Sequence, residues 1–104
     1  RNAQQLGLNN ITYIAGSFAS VAQEWKLPID LLHIDGDHDY ASVAADFAAW
    51  SPYLREGGVL LMHDLDSFPD GPGRLYREID WPKWHLPMYC GLGVLTKPGT
   101  LLWV

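Results

Sequence analysis

Two short apolar runs in this chain each end in a cluster of acidic and imidazole side chains. The first reads DLLHIDGDHDY at residues 30–40 and the second reads GGVLLMHD at residues 57–64. Their lengths and β-branched or leucine-rich composition predict strands over Ile29–Ile34 and Val59–His63. The second strand is apolar on both faces, which is typical of a central strand covered by helices.

The segment between these two strands has the pattern of an amphipathic helix. Val43, Phe47 and Trp50 recur at intervals that place them on one helix face, and Pro52 ends or kinks the helix near Ser51. Strand, helix and strand in this order predict a parallel pair joined by a right-handed crossover, and therefore an α/β fold.

The polar clusters at the two strand ends are the candidate functional site. In open α/β sheets, ligands bind beyond the carboxyl ends of the strands. A normal crossover brings Asp35, Asp37 and His38 to the same sheet edge as His63 and Asp64. Concentrated negative charge at one edge costs stability unless something positive compensates it, so these side chains are expected to face a ligand or a metal. The alternative for any one of them is a structural role in a loop.

The remaining segments complete an alternation of strands and helices. Asp39 or Ser42 is expected to cap the helix between the two strands, and Ser17 to cap an earlier helix that ends near Lys26. Further predicted elements are a helix end at Asn2–Leu6 with Gly7 as its cap, a strand at Ile11–Ala15, a turn at Gly57-Gly58, a loop at Ser67–Gly73, a helix at Arg74–Ile79, and strands within KWHLPMYC (83–90), GLGVLTK (91–97) and LLWV (101–104).

Composition limits the partners that this chain is expected to have. Its 104 residues suffice for one domain, and of its twelve carboxylates eight fall between Asp35 and Asp70, where Arg55 is the only strong base. Such a segment repels phosphate backbones and suits a metal ion or a cationic ligand, so we expect no nucleic-acid partner. No apolar run approaches the ~20 residues that span a bilayer, so no membrane partner is expected. The single Cys90 fits a reducing cytoplasm.

The run IDLLHIDGDHDYASVAADFAAWSPYLREGGVLLMHD, residues 29–64, resembles class I S-adenosylmethionine-dependent methyltransferases. It is similar to the small-molecule methyltransferases that carry a DGDH-type turn after strand 4 and an HD pair after strand 5. The likeness extends from Asn2 to about Asp64, and the chain resembles the C-terminal portion of such a domain. The resemblance implies a partial Rossmann-like sheet containing strands 3 to 7, S-adenosylmethionine as cofactor and a small hydroxylated acceptor.

The resemblance also implies roles for particular residues. The exit of strand 3, which lines the adenine pocket in the family, falls on Gly16, Ser17 and Phe18, and Asp35 lies near the methyl-transfer centre and so counts with the cofactor-binding residues. In metal-assisted O-methyltransferases of this architecture, side chains at the exits of strands 4 and 5 hold a divalent ion such as Mg²⁺. Those places here fall on three residues, Asp35, His63 and Asp64.

The candidate catalytic residues are His38 and Asp37. Without a metal, either His38 or His63 is a candidate general base, since an imidazole titrates near neutral pH, and His38 is preferred because it lies on a turn. The alternative for His63 is a hydrogen bond to its neighbour Asp64. The two remaining histidines, His33 and His85, are expected to pack in the core.

The family's glycine-rich turn after strand 1 and the acidic residue ending strand 2 are absent from this sequence. The family's sheet order is 3-2-1-4-5-7-6, so strand 3 would stand roughly 14 Å from strand 4 at ~4.8 Å per strand. Three outcomes are open. Strand 3 pairs directly with strand 4, a second copy fills the gap as a homodimer, or the chain, which begins at Arg1, is a single partial domain lacking its N-terminal half.

Two other functions remain open from the sequence. The Asp and His clusters are compatible with a metal-dependent hydrolase, although further His and Asn ligands of the kind found in phosphoesterases are missing downstream. A non-catalytic fragment that serves in assembly is the other alternative.

Overall fold

A computed structural model of the chain describes residues 10–12, 14–88 and 90–99. The described elements, in chain order, are α1 (Phe18–Glu24), β1 (Ile29–Ile34), α2 (Tyr40–Trp50), a 3-10 turn (Ser51–Tyr53), β2 (Leu54–Met62), α3 (Pro72–Glu78), β3 (Lys83–Leu86) and β4 (Leu92–Thr96). No helix within these residues has both the length and the apolar character needed to cross a bilayer.

The strands form one mixed sheet in the order β1-β2-β4-β3. β1 runs parallel to β2, with Ile34 opposite Met62, while β4 is antiparallel to both β2 and β3. The parallel pair and its crossover helix α2 were predicted from the sequence and are confirmed. The order also matches the 4-5-7-6 half of the sheet that the family resemblance implies.

One face of the sheet carries the hydrophobic core. Leu60, Met62 and Leu95 are fully buried there. They belong to one buried cluster with residues of α2 and α3, namely Val43 and Leu75. This face and the helices over it hold the carboxyl ends of β1 and β2 in place.

The start of α2 follows from its capping residue. The Asp39 carboxylate accepts a hydrogen bond from the Ser42 backbone N–H at 3.0 Å, so of the two predicted caps Asp39 is the one used. The cap fixes the direction in which α2 leaves the turn after β1, and therefore the position of His38, which directly precedes it.

The opposite face of the sheet is only partly covered by the described residues. Leu31 on β1 is 57% exposed, Trp84 on β3 is exposed, and Leu61 on β2 is half-buried. His33, between Leu31 and Asp35 on the same face, is exposed as well. The prediction that His33 packs in the core was wrong, because β1 is an edge strand and no described element lies over this side of it.

Three predicted segments differ from the structure. A strand was predicted at Ile11–Ala15, but residues 11, 12, 14 and 15 form none. The expected distance of roughly 14 Å from strand 3 to strand 4 leaves such a strand without a partner close enough to pair with. Gly57-Gly58 lies within β2 and not at a turn before it. The helix predicted at Arg74 begins at Pro72, because proline is well suited to a first helical turn. The elements expected at Asn2–Leu6 and at 101–104 lie outside the described residues.

Candidate functional site

The two strand-end clusters meet at one edge of the sheet, as predicted. Asp35 follows β1, and His63 and Asp64 follow β2. Because β1 and β2 are parallel and in register at their ends, one ligand atom from each of these three side chains falls within 4.8 Å of the others. A donor set of two carboxylates and one imidazole at this spacing fits a divalent cation.

Asp64 is the centre of the hydrogen bonding at this edge. Its Oδ2 lies 2.8 Å from Nε2 of His38, and its Oδ1 lies 3.0 Å from Nδ1 of His63. The backbone of Asp64 has φ 64°, a left-handed conformation that is unfavourable for residues other than glycine and best tolerated by Asn and Asp. Backbone strain of this kind is concentrated at functional sites.

The two histidines offset the negative charge at this edge. Burial alone would raise the pKa of Asp64, but hydrogen bonds from His38 and His63 and their positive charge hold that pKa below its usual value. Asp35 lies 3.9 Å from the same His63 ring. The His63 ring therefore lies between the two carboxylates, within 3.9 Å of Asp35 and 3.0 Å of Asp64.

His38 is held on three sides. Besides its bond to Asp64, its ring stacks on Phe68, with ring centroids 3.8 Å apart and planes 13° from parallel. The backbone of Gly71 also approaches the His38 carbonyl so closely that a Cβ at position 71 would lie 1.9 Å from that oxygen. The loop that follows β2 is therefore packed directly against the turn that follows β1.

A separate open cavity of about 450 Å³ lies on the α1 side of the same edge. Gly16, Ser17 and Phe18 line it together with Gly36 and Asp37. The structure thus brings together three of the predicted cofactor-binding residues, whereas Asp35, the fourth, groups with His63 and Asp64. Asp37 faces this cavity, while His38 lies on the Phe68 side.

Several residues of this edge were not singled out from the sequence. Phe68 and Gly71 contact a turn about thirty residues earlier in the chain, and no local pattern reports such a contact. Asp46 lines the 450 Å³ cavity from the middle of α2, where helix periodicity alone suggests a solvated side chain. The expectation of core packing was wrong for His85, which is exposed and lies 2.9 Å from Asp66.

One sequence family and two curated relatives match parts of this chain. A sequence family described as a methyltransferase domain matches residues 1–65. The chain is 39% identical over 71 residues to an uncharacterized protein of Sinorhizobium fredii, a match that covers 64% of this chain and 8% of that protein. It is also 39% identical over 44 residues to an uncharacterized protein of Acanthamoeba polyphaga mimivirus, covering 42% of this chain and 20% of the viral protein.

The fold has a close counterpart among solved structures. A Corynebacterium glutamicum protein superimposes with a TM-score of 0.76 at 20% sequence identity, over 95% of this chain and 54% of that one. The chain therefore spans about half the length of this structural neighbour and a smaller part of the two curated relatives.

Proposed function

Since the chain belongs to the methyltransferase-domain family, with the fold of a class I S-adenosylmethionine-dependent domain, we propose that the whole protein methylates a hydroxyl group of a small molecule. The observation that carries the proposal is the meeting of Asp35, His63 and Asp64 at the edge where His38 is hydrogen-bonded to Asp64. That arrangement would combine a cation site with a base held in position, and each of these can activate a hydroxyl group.

His38 is the proposed general base. When Asp64 accepts a hydrogen bond from the Nε2–H of His38, the lone pair of Nδ1 is left to take the proton of the acceptor hydroxyl. Asp64 orients the ring and stabilises the imidazolium that forms, as a carboxylate does for a catalytic histidine elsewhere. The acceptor oxygen freed of its proton would then be the nucleophile for the methyl group that a bound S-adenosyl cofactor supplies, with the thioether sulfur as the leaving group.

Asp35, His63 and Asp64 are the residues proposed to hold a divalent cation. A bound cation would lower the pKa of the acceptor hydroxyl and orient it. The two carboxylates suit Mg²⁺ or Mn²⁺, and the imidazole also admits a softer ion such as Zn²⁺. Asp37, on the opposite side of the turn, remains a second proposed catalytic group.

The cofactor is proposed to occupy the cavity beside α1. Gly16, Ser17 and Phe18 line this cavity, and it opens at the same sheet edge as the carboxylates. The cofactor supplies a methyl group already activated by its sulfonium charge, so the protein's task is to position the acceptor and remove its proton.

Calorimetry with S-adenosylhomocysteine, with and without Mg²⁺, tests the proposal against its alternatives. Binding of S-adenosylhomocysteine supports a methyltransferase, and tighter binding or a second heat with Mg²⁺ supports metal assistance. Metal binding alone would favour a hydrolase, and binding of neither would favour a non-catalytic fragment. Asp64→Asn serves as the matched variant for the metal titration, because it removes one charge from the cation site.

A further inference from the structure

His33 is an exposed imidazole beside the candidate cation site. It precedes Asp35 by two residues on β1, so the alternation of side chains along a strand puts both on one face of the sheet. The neighbouring strand brings His63 to the same face, because Leu61, two residues before His63, is the register partner of His33. This corner of the sheet therefore carries two imidazoles and a carboxylate side by side.

The rings of His33 and His63 are already neighbours. Their centroids are 6.3 Å apart and their planes meet at 69°. With Zn–N bonds of about 2.0–2.1 Å, two imidazoles on one tetrahedral ion have their ring centres about 5 Å apart. The His33 nitrogens lie outside the group of ligand atoms that Asp35, His63 and Asp64 form within 4.8 Å. A rotation of the exposed His33 side chain would bring one of its nitrogens to that group.

No polar contact within the described part of the chain holds the His33 ring in its present orientation. Among residues 10–12, 14–88 and 90–99 the ring has neither a hydrogen-bond partner nor an ion-pair partner. The other three histidines of the chain each contact a carboxylate, namely His38, His63 and His85. An imidazole without a polar partner has a ring nitrogen free to serve as a metal ligand.

We propose that His33 is a fourth ligand of the cation site, so that two imidazoles and two carboxylates bind one ion. This inference rests on the cation site of the proposed function and adds to it a further ligand and a class of metal. Imidazole suits Zn²⁺ and related transition metals, whereas Mg²⁺ binds oxygen ligands in near-ideal octahedral geometry. With His33 and His63 both bound, the site selects such a transition metal over Mg²⁺. Zn²⁺ also accepts a fifth ligand, which leaves a place for the acceptor oxygen.

The test compares two metals on three proteins by calorimetry. Zn²⁺ and Mg²⁺, each alone, are titrated into the full wild-type chain, His33→Gln and the control His85→Gln. Glutamine keeps an uncharged polar side chain but offers no imidazole nitrogen. His85 lies on β3, which β2 and β4 separate from β1, so the control removes one exposed imidazole away from the proposed site.

We expect the wild type and His85→Gln to bind Zn²⁺ more tightly than Mg²⁺. His33→Gln should bind Zn²⁺ at least about tenfold more weakly, since losing even an outer-shell partner of a metal ligand costs that much. Its affinity for Mg²⁺ should change little, so the preference for Zn²⁺ should fall. A loss of folding would weaken both metals alike, and a second measurement then decides. Pulsed electron paramagnetic resonance of His38→Gln with less than one equivalent of Cu²⁺ should show two ligating imidazoles, those of His33 and His63.

The failure of this inference and the failure of the proposed cation site give different results. If the wild type binds metal, a folded His33→Gln with an unchanged preference for Zn²⁺, or one imidazole in the Cu²⁺ spectrum, shows that His33 is no ligand, and the proposed function stands. If the wild type binds neither metal, the cation site is wrong and the role of His33 falls with it. Binding of S-adenosylhomocysteine would then support methyl transfer without a metal.

Discussion

Asp64 divides its carboxylate between two histidines, with Oδ2 at 2.8 Å from Nε2 of His38 and Oδ1 at 3.0 Å from Nδ1 of His63. The two imidazoles come from different strand ends, so this one side chain joins the turn after β1 to the end of β2. Its left-handed backbone, at φ 64°, aims the carboxylate between them. Asp64 is therefore expected to contribute both to the stability of the site and to its proposed chemistry.

Asp64→Asn should cost less stability than Asp64→Ala. Asparagine tolerates the left-handed conformation and keeps one acceptor oxygen, whereas alanine adds about 1 kcal/mol of backbone strain and loses both hydrogen bonds. Urea unfolding of the two variants and the wild type measures the difference. Equal losses would mean that neither the backbone conformation nor the remaining acceptor matters at position 64.

His38→Gln should lower the rate of methyl transfer in the whole protein by about 100-fold or more, because it removes the proposed base. His85→Gln is the matched control, since His85 is similarly exposed and also lies against a carboxylate, that of Asp66. The rate of S-adenosylhomocysteine production measures both variants. A His38→Gln enzyme as fast as the control would rule out His38 as the base.

Gly71→Ala should destabilise the protein by about 3 kcal/mol, the upper end of the usual cost of overpacking. The added methyl group would lie 1.9 Å from the His38 carbonyl oxygen, a backbone atom that cannot rotate away. Ser67→Ala, an exposed change in the same loop, is the control and should be nearly neutral. The midpoint of chemical denaturation measures both, and a Gly71→Ala variant as stable as the control would contradict the contact.

Acidification should weaken the start of α2 through Asp39. Hydrogen bonds from Ser42 lower the pKa of Asp39 below its ordinary 3.8, so the folded protein holds this proton less tightly than the unfolded chain. The stabilisation is therefore complete above about pH 4 and is lost as the pH falls through the folded pKa. The stability advantage of the wild type over Asp39→Ala, followed by thermal unfolding, should shrink on acidification. An advantage that does not change with pH would be the contrary result.

Asp46→Asn should raise the free energy of unfolding at neutral pH. The pKa of Asp46 is raised by burial and by Asp37 and Asp39, so the folded protein holds this proton more tightly than the unfolded chain, and ionisation near neutrality costs stability. Denaturant unfolding at about pH 7 measures the change. A variant less stable than the wild type would show that the carboxylate makes a stabilising contact.

The sequence was sufficient to predict the strand–helix–strand unit and the edge at which Asp35 and Asp64 meet. Hydrophobic periodicity fixes the type of each element, and the handedness of crossovers brings consecutive parallel strand ends together. The order of the four strands was available only through the family resemblance. Periodicity does not say that β4 lies between β2 and β3.

The contacts around His38 could not be predicted, because they join loops that are distant in the sequence. Phe68 and Gly71 lie in a segment with no regular pattern, and their packing on the His38 turn depends on the path of the whole loop. His33 was misjudged for a related reason. A residue in the middle of an apolar run is buried only where an element lies over the face of the strand that its side chain occupies, as it does for the neighbouring Ile34 and not for His33.

The pairing of β1 with β2 shifts register between Ile29 and Leu31 and is regular from Leu31 to Ile34. Between the pairs Ile29–Leu54 and Leu31–Val59, β2 contains more residues than β1, and Gly57 and Gly58 are among them. Gly57 and Gly58 therefore lie outside the regular pairing that sets Ile34 opposite Met62. A single inserted residue after Leu60 would instead turn alternate side chains over and carry His63 and Asp64 away from Asp35.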